Sequence, residues 1–297
     1  MSLVINHNMM AMNATRNLND AYSRLATSTR RLSSGLRVGT AADDAAGLAI
    51  RELMRAEIAT LNQGVRNAND AISLIQTADG ALGVIDEKLI RMKELAEQAA
   101  TGTYNSDQRL MIESEYQAMA SEITRIANST KYNGVYLLNG NLSSNTHDGS
   151  GLQAKGKIKI HFGTGNDCSE DYYYFQIGCA TASALGVGNQ TLMGRAGFAV
   201  STQSAAQAAL NAINQAIISK DKIRAALGAI QNRLENTISA LQIQAENTQA
   251  GESRISDVDV ASEMTEFVRN QVLTQAAVAM LSQANSLPKM ALQLIQG

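Results

Sequence analysis

LVINHNMMAMNATRNLNDAYSRLATSTRRLSSGL, residues 3 to 36, decides the fold, because it is built as a helix that cannot stand alone. Ala11, Ala14, Leu18, Ala21, Leu25, Ser28 and Leu32 recur at unbroken steps of three and four, the seam of one helix packing on another. The seam is narrow. At about 1.5–3 kcal/mol per fully buried leucine, three leucines among small residues scarcely offset about 1–2 kcal/mol of backbone entropy for each ordered residue. The first fifteen residues carry no Asp, Glu, Lys or Arg, and Leu3, Val4, Ile5, Met9, Met10 and Met12 make the start apolar on more than one side. Such a helix belongs in a deep core or in an assembly.

The far end of the chain matches it. After Arg269 the only charged side chain is Lys289, and Leu287, Met290, Ala291, Leu294 and Ile295 fall on one helical face. Acids prevail from Glu252 through Asp257, Asp259 and Glu263 to Glu266, whereas Arg16, Arg24, Arg30, Arg31 and Arg37 dominate the first stretch. An antiparallel pairing of the two ends brings opposite signs together. Exposed ion pairs contribute only about 0–1 kcal/mol each, so these charges set orientation more than stability.

Composition narrows the class. With 45% apolar residues but no Trp, four Phe and one Pro, the interior has to be filled by aliphatic side chains on long helices with few enforced breaks. A net charge of −2 leaves no electrostatic footprint for nucleic acid or an anionic membrane. Cys168 and Cys179 fit no zinc or redox spacing and read as free thiols. The start has neither the basic patch nor the cleavage site of a secretory signal, and no apolar run is long enough to span a membrane, so composition alone places the chain in the cytoplasm. His7, His147 and His161 are scattered, no nucleophile has a fixed partner spacing, and no phosphate loop occurs. An enzyme, a metal site and a bound cofactor are not expected.

Residues 37 to 47 read as a linker in which Asp43 or Asp44 caps the next helix. The seam then resumes through Ile58, Leu61, Val65, Ala68, Ile72, Ile75, Ala78, Leu82, Ile85, Leu89, Met92, Ala96 and Ala99. Gly64, Gly80 and Gly83 interrupt this rod at up to about 1 kcal/mol each. Gly102 stops it, and Asn105 with Gln108 starts a helix whose seam is Ile112, Tyr116, Met119, Ile123 and Ile126 and which finishes at Asn133-Gly134. From Asn141 to Gly194 the period changes to two. Ile158, Ile160 and Phe162 alternate with Lys157, Lys159 and His161, and Tyr173, Phe175 and Ile177 with Tyr172, Tyr174 and Gln176, which predicts one β-hairpin. Ala205 to Gly251 is helical again, Ser253 to Asp259 is a second linker, and Ser286–Pro288 marks either a kink or the start of a final turn. The expected fold is mainly α: a long antiparallel helical, coiled-coil-like bundle with one small β-hairpin and paired N- and C-terminal helices. Its parts are a terminal helical domain (1–43 and 255–297), a rod domain (44–140 and 195–254) and the hairpin region (141–194).

With these residues laid out, the chain resembles bacterial flagellin over nearly its whole length. The resemblance rests on Ile5-Asn6-His7-Asn8, Leu32-Ser33-Ser34-Gly35-Leu36-Arg37, residues 41 to 50 (AADDAAGLAI), Thr130-Lys131-Tyr132-Asn133-Gly134 and residues 250 to 259 (AGESRISDVD). It is similar to a short flagellin without the variable outer domains, for Asn141–Gly194 has room for little beyond the hairpin. The resemblance implies a structural subunit that self-assembles into the hollow flagellar filament for motility, with terminal helices that are disordered in the free subunit and fold on assembly. Subunit assembly then falls to Leu18, Leu25, Leu32, Val268, Val272, Leu287 and Leu294.

It implies further that the chain leaves unfolded through the flagellum's type III export channel and works outside the cell. Implied partners are copies of itself, an export chaperone, the filament cap and the hook-junction proteins. Residues 89 to 98 (LIRMKELAEQ) resemble the segment read by animal Toll-like receptors, with Arg91, Leu95 and Glu115 at the contact positions. Two other readings compete: a hook–filament junction protein with similar terminal helices, and an intracellular coiled-coil scaffold.

Overall fold

The computed structural model describes residues 8–148, 155–167, 170–188 and 199–296, with the backbone alone at 287–289 and 291–296. Cys168 lies outside the described residues, and Cys179 is a free thiol. The chain divides into two compact units, Met1–Ile58 with Glu246–Gly297 and Ala59–Ala245. The division falls inside two long helices rather than at the linkers expected near residues 43 and 255. The reason is local: the first turns of one helix and the last turns of the other pack with the linkers themselves, Met54 lying beside Gly251.

In the terminal unit, α1 (Met9–Ser34) begins at Asn8, whose Oδ1 accepts the Ala11 amide at 3.0 Å, and ends at Gly35 in the left-handed region. That φ of +72° favours glycine and stops the helix at that position. The chain then runs briefly antiparallel to residues 256–258: the Arg37 amide donates to the Ser256 carbonyl at 2.7 Å, and the Val258 amide to Gly35 at 3.0 Å. Asp43 ties the linker by accepting the Thr40 hydroxyl (2.9 Å), the Thr40 amide (3.0 Å) and the Arg30 guanidinium (2.8 Å). Asp44 accepts the Gly47 amide and opens α2 (Ala45–Ala100). Buried Arg51 donates to the Val38 carbonyl at 2.8 Å.

The larger unit holds the core, lined by Leu61, Ile75, Leu82, Ile85, Leu89 and Met92 of α2. Every one of these was a seam position. Arg109 caps the C-terminus of α2 through the Ala99 and Thr101 carbonyls, and α3 (Ser106–Ser129) opens with the expected capping box between Asn105 and Gln108. Asn133 and Gly134, both at positive φ, do not end a helix: they turn a tight hairpin between β1 (Lys131–Tyr132) and β2 (Val135–Tyr136). A second short pair, β3 (His147–Asp148) with β4 (Lys155–Gly156), was also not read from the sequence, since two-residue strands carry too few residues for a period. The expected hairpin is β5 (Ile158–His161) with β6 (Tyr172–Phe175), antiparallel with Ile160 opposite Tyr173. Ile160, Phe162, Phe175 and Ile177 face the core.

After the short α4 (Ala182–Leu185), α5 (Gln203–Ser256) continues past Gly251, where a stop was expected. Glycine permits that ending without imposing it, and only Asp257–Asp259 separates α5 from α6 (Val260–Gln296). Seam positions Ala216, Lys220 and Ile223 of α5 include a buried lysine, whose Nζ sits 2.6 Å from Asp86 and 2.7 Å from Asp221. Arg224 bonds Asp79 at 2.7 Å one turn further on. A buried cation that has to meet one carboxylate fixes the register of α5 against α2 more sharply than interchangeable aliphatic contacts do.

The three glycines of the rod separate by surroundings. A Cβ on Gly64 would lie 2.0 Å from the Phe162 carbonyl oxygen, so the hairpin needs glycine there, whereas a Cβ on Gly80 or Gly83 meets nothing within 4 Å. In urea denaturation, Gly64→Ala should destabilise the chain by about 1–3 kcal/mol. Gly80→Ala should stabilise it by up to about 1 kcal/mol. The β5–β6 loop gives a pH test. Asp171 accepts the Asp167 amide at 2.7 Å and the Gly165 amide at 3.1 Å, and these bonds lower its pKa below the ordinary 3.8. A depressed carboxyl contributes stability that is complete above pH 3.8 and lost as pH falls through its lowered value. Hydrogen-exchange protection of both amides should therefore persist to pH 3.8 and vanish only below it, and should be absent at every pH in Asp171→Ala, which keeps no acceptor.

Candidate assembly surface

The site is not a catalytic cleft but a face. α1 lies antiparallel on α6, and every half-buried or buried position of α1 from Ala11 to Ser28 except Thr27 belongs to the seam read from the sequence. Leu18, Leu25 and Leu32 are half-buried there, holding the pair within one chain. The matching seam of α6 is Glu263, Phe267, Asn270, Thr274, Ala277, Leu281 and Ala284, again at steps of three and four. Five of its seven positions are polar or alanine, and Thr274 donates its hydroxyl hydrogen to the Asn270 carbonyl at 2.8 Å. The expected charge complementarity reduces to one ion pair among the described residues, Arg31 with Glu263 at 3.7 Å. Arg30 turns to Asp43, and Arg37 donates to the Ile255 carbonyl at 2.7 Å, because the nearby linkers compete for both.

Phe267 and Leu281 sit in that seam, while the other larger apolar side chains described in α6 are exposed. Val260, Met264, Val268, Val272, Ala276 and Met280 recur every four residues, forming one inclined ridge of the kind that interlocks with another helix. Within it Val268 is 49% exposed, Val272 57% and Met280 65%. Beside the ridge, Met10, Ala14, Ala21, Leu273, Ala277 and Met280 help to line a groove of 640 Å³ between α1 and α6. Val268 and Val272, named from the sequence, thus lie outside the intrachain seam, while Leu18, Leu25 and Leu32 lie within it. Leu287 and Leu294 fall in the helical backbone of α6, with side chains outside the described residues. The groove-lining Leu273 and the exposed Met264 and Met280 were missed, although the four-residue spacing from Val260 onward was legible.

One bond joins the two helices by a route the sequence hid. α6 runs through Pro288 without the expected restart. Proline has no N–H, so the Ala284 carbonyl four residues earlier loses its helical donor. Asn8 Nδ2 donates to that carbonyl at 2.8 Å, while the same side chain caps α1.

In the larger unit, Arg91 and Glu115 meet in an exposed ion pair at 2.8 Å, and Glu94 adds a second at 2.9 Å. The hydrogen bonds that Arg91 donates to Glu115 and then to Glu94 raise its pKa. Leu95 does not join them on the surface: it is 1% exposed, packed in the core. Among the described residues no group of three His, Cys, Asp or Glu could hold a metal, and no helix is long and apolar enough to cross a membrane.

A helical protein whose terminal pair leaves an apolar ridge exposed has the surface expected of a subunit in an assembly. The family description "Bacterial flagellin N-terminal helical region" matches residues 5–143, and "Bacterial flagellin C-terminal helical region" matches residues 210–295. The chain is 38% identical to the flagellar filament 33 kDa core protein of Treponema phagedenis, over 99% of this chain and 100% of that one. It is 40% identical to the flagellin of Bacillus subtilis, over 98% and 99%. Among solved structures, a putative flagellar hook-associated protein from Vibrio parahaemolyticus aligns at 14% identity and TM-score 0.55, covering 72% of this chain and all of that one, a likeness of fold alone.

The chain belongs to the bacterial flagellin family, a family of structural proteins rather than enzymes. It is a structural subunit of the flagellar filament, and the junction-protein and scaffold readings are not favoured.

The Asn8 bond should show as coupling. Asn8→Ala should lower the midpoint of filament heat dissociation, whereas Pro288→Ala, which restores an N–H for Ala284, should make the same Asn8→Ala change milder. Equal effects of Asn8→Ala in the two backgrounds would separate the proline from the asparagine.

Proposed function

We propose that the exposed ridge of α6 and the groove beside it are the surfaces that join copies in the filament, and that the terminal pair folds fully only when they are covered. The observation that carries this is the ridge itself, with Val268 and Val272 about half exposed on a unit whose own seam is narrow. Burying an apolar side chain of this size contributes about 1.5–3 kcal/mol, so a neighbour supplies what the two-helix unit lacks. Assembly is then coupled folding, and anything that binds the folded form shifts the equilibrium toward it.

In this reading the chain is exported unfolded through the flagellar type III channel, kept from premature assembly by a chaperone on the C-terminal helix. It adds beneath the filament cap, beyond the hook-junction proteins, and works outside the cell. Terminal helices of marginal stability suit that route. An animal Toll-like receptor, if it reads this chain, meets the Arg91–Glu115 pair and its exposed surroundings. Leu95 takes part only as the packing beneath them.

Seeded elongation tests the reading. Purified chain added to short filament fragments should extend them under negative-stain electron microscopy, and a version lacking residues 1–38 and 257–297 should not. Val272→Glu should also fail to extend seeds by at least tenfold in rate while keeping the helical content of the native monomer. Normal elongation by Val272→Glu would remove the ridge from the assembly contact.

A further inference from the structure

Half of the chain's twelve methionines lie on the surface of the terminal unit. Met9, Met10 and Met12 of α1 and Met264, Met280 and Met290 of α6 are each 44% to 65% exposed. In the larger unit Met92 is fully buried and Met119 half-buried, and only Met111 of its described methionines is exposed. Both cysteines fall in the larger unit, and Cys179 is half-buried with its Sγ 3.3 Å from the Thr181 hydroxyl. The thioether is therefore the side chain through which a peroxide reaches the terminal unit.

Three of the six stand in the proposed contact. Met264 and Met280 belong to the ridge of α6, and Met10 and Met280 line the groove beside it. Their flexible thioethers adapt to a neighbouring helix without needing a hydrogen-bond partner. A sulfoxide does need one, since it carries a polarised oxygen whose burial is costly when no donor meets it. Val260, Val268 and Ala276, the ridge neighbours of Met264 and Met280, have no side-chain donor to give. One added oxygen thus turns an apolar point of the ridge into a polar one.

We propose that Met10, Met264 and Met280 are oxidation sites through which a peroxide stops the chain from joining the filament, an inference that rests on the ridge and groove as the contact between copies. A methionine sulfur attacks one oxygen of hydrogen peroxide. The S–O bond forms as the O–O bond breaks, and the departing hydroxide takes the proton of the transferred oxygen and leaves as water. Sulfur loses two electrons and the peroxide gains them. Methionine sulfoxide reductases reverse the step with two thiols, which become a disulfide while the oxygen departs as water. In the free chain the three thioethers are open to the oxidant, and in the filament a neighbour covers them. A chain oxidised before it is placed is refused, and a chain already in place is shielded.

Free chain and sheared filaments are treated with the same hydrogen peroxide solution, quenched with free methionine, and scored by peptide mass spectrometry and seeded elongation. In the free chain Met10, Met264 and Met280 should gain one oxygen at least tenfold faster than buried Met92, and in filaments the same three should react at least tenfold more slowly. Treated chain should elongate seeds at least tenfold more slowly and recover after incubation with methionine sulfoxide reductases A and B and a dithiol. The triple variant Met10→Leu, Met264→Leu, Met280→Leu conserves volume and should elongate normally before treatment and lose less than twofold after it. Met111→Leu should stay as sensitive as the native chain. If the triple variant does not elongate, the native chain decides: recovery that tracks reduction of these three residues supports the sites, and recovery without it overturns them. Normal elongation by oxidised native chain, or a loss that the triple variant shares, would overturn the proposal and leave the ridge as the contact. Equal oxidation of the three in free chain and filament would instead remove ridge and groove from the contact, and the proposal with them.

Discussion

The structure depends on a seam too narrow for the residues that flank it. α1 and α6 touch through alanines, four leucines, Phe267, a serine, a threonine, an asparagine and one ion pair, so only a narrow apolar stripe leaves water when the two helices meet. Apart from Phe267 and Leu281, the larger apolar side chains described in α6 are exposed, five of them on a separate ridge. A globular protein would turn that ridge inward. Here the terminal unit is left with an exposed apolar face, the physical condition for a subunit that is completed by its neighbours.

The larger unit solves the opposite problem. Its long helices α2 and α5, with α3, bury a continuous aliphatic core and are held in register by Lys220 between Asp86 and Asp221 and by Arg224 on Asp79. Burying a lysine is costly unless its charge is paired, so a slip along the helix axis is penalised far more than it would be between leucines. The hairpin closes on the same core, and Gly64 lets the Phe162 backbone approach α2 more closely than any side chain would allow. Stable body and incomplete ends are thus made from the same kind of helix, differing in what the seams contain.

Legibility followed periodicity. The heptad-like steps from Ala11 to Leu32 and from Leu61 to Ala99 placed the seams, and the alternation around Ile160 and Phe175 placed the main hairpin with its inner face. Local chemistry was also readable: Gly102 as a stop just after Ala100 and Asn105 with Gln108 as a capping box act through atoms a few residues apart. The short ribbons β1–β2 and β3–β4 were not readable, because two residues define no period. Gly251 was read as a stop and Pro288 as a kink or a restart, and the helix continues through both, because each residue is compatible with a helix when its surroundings hold it there.

Sequence by itself therefore determined the helical class, the paired ends, the position of the hairpin and the membership of the flagellin family, all of which rest on local spacing and on short contiguous motifs. Only the tertiary structure decided which apolar residues serve the chain's own packing and which remain for others. Leu25 and Val272 look alike as letters, but one is turned into the seam and the other out of it by the rotation of α6 against α1. In the same way Leu95 is taken inside while Arg91 and Glu115, separated by 24 positions, are brought into contact. Asn8 reaches Ala284 across 276 positions for the same reason: a carbonyl without its helical donor takes whichever donor the fold carries to it.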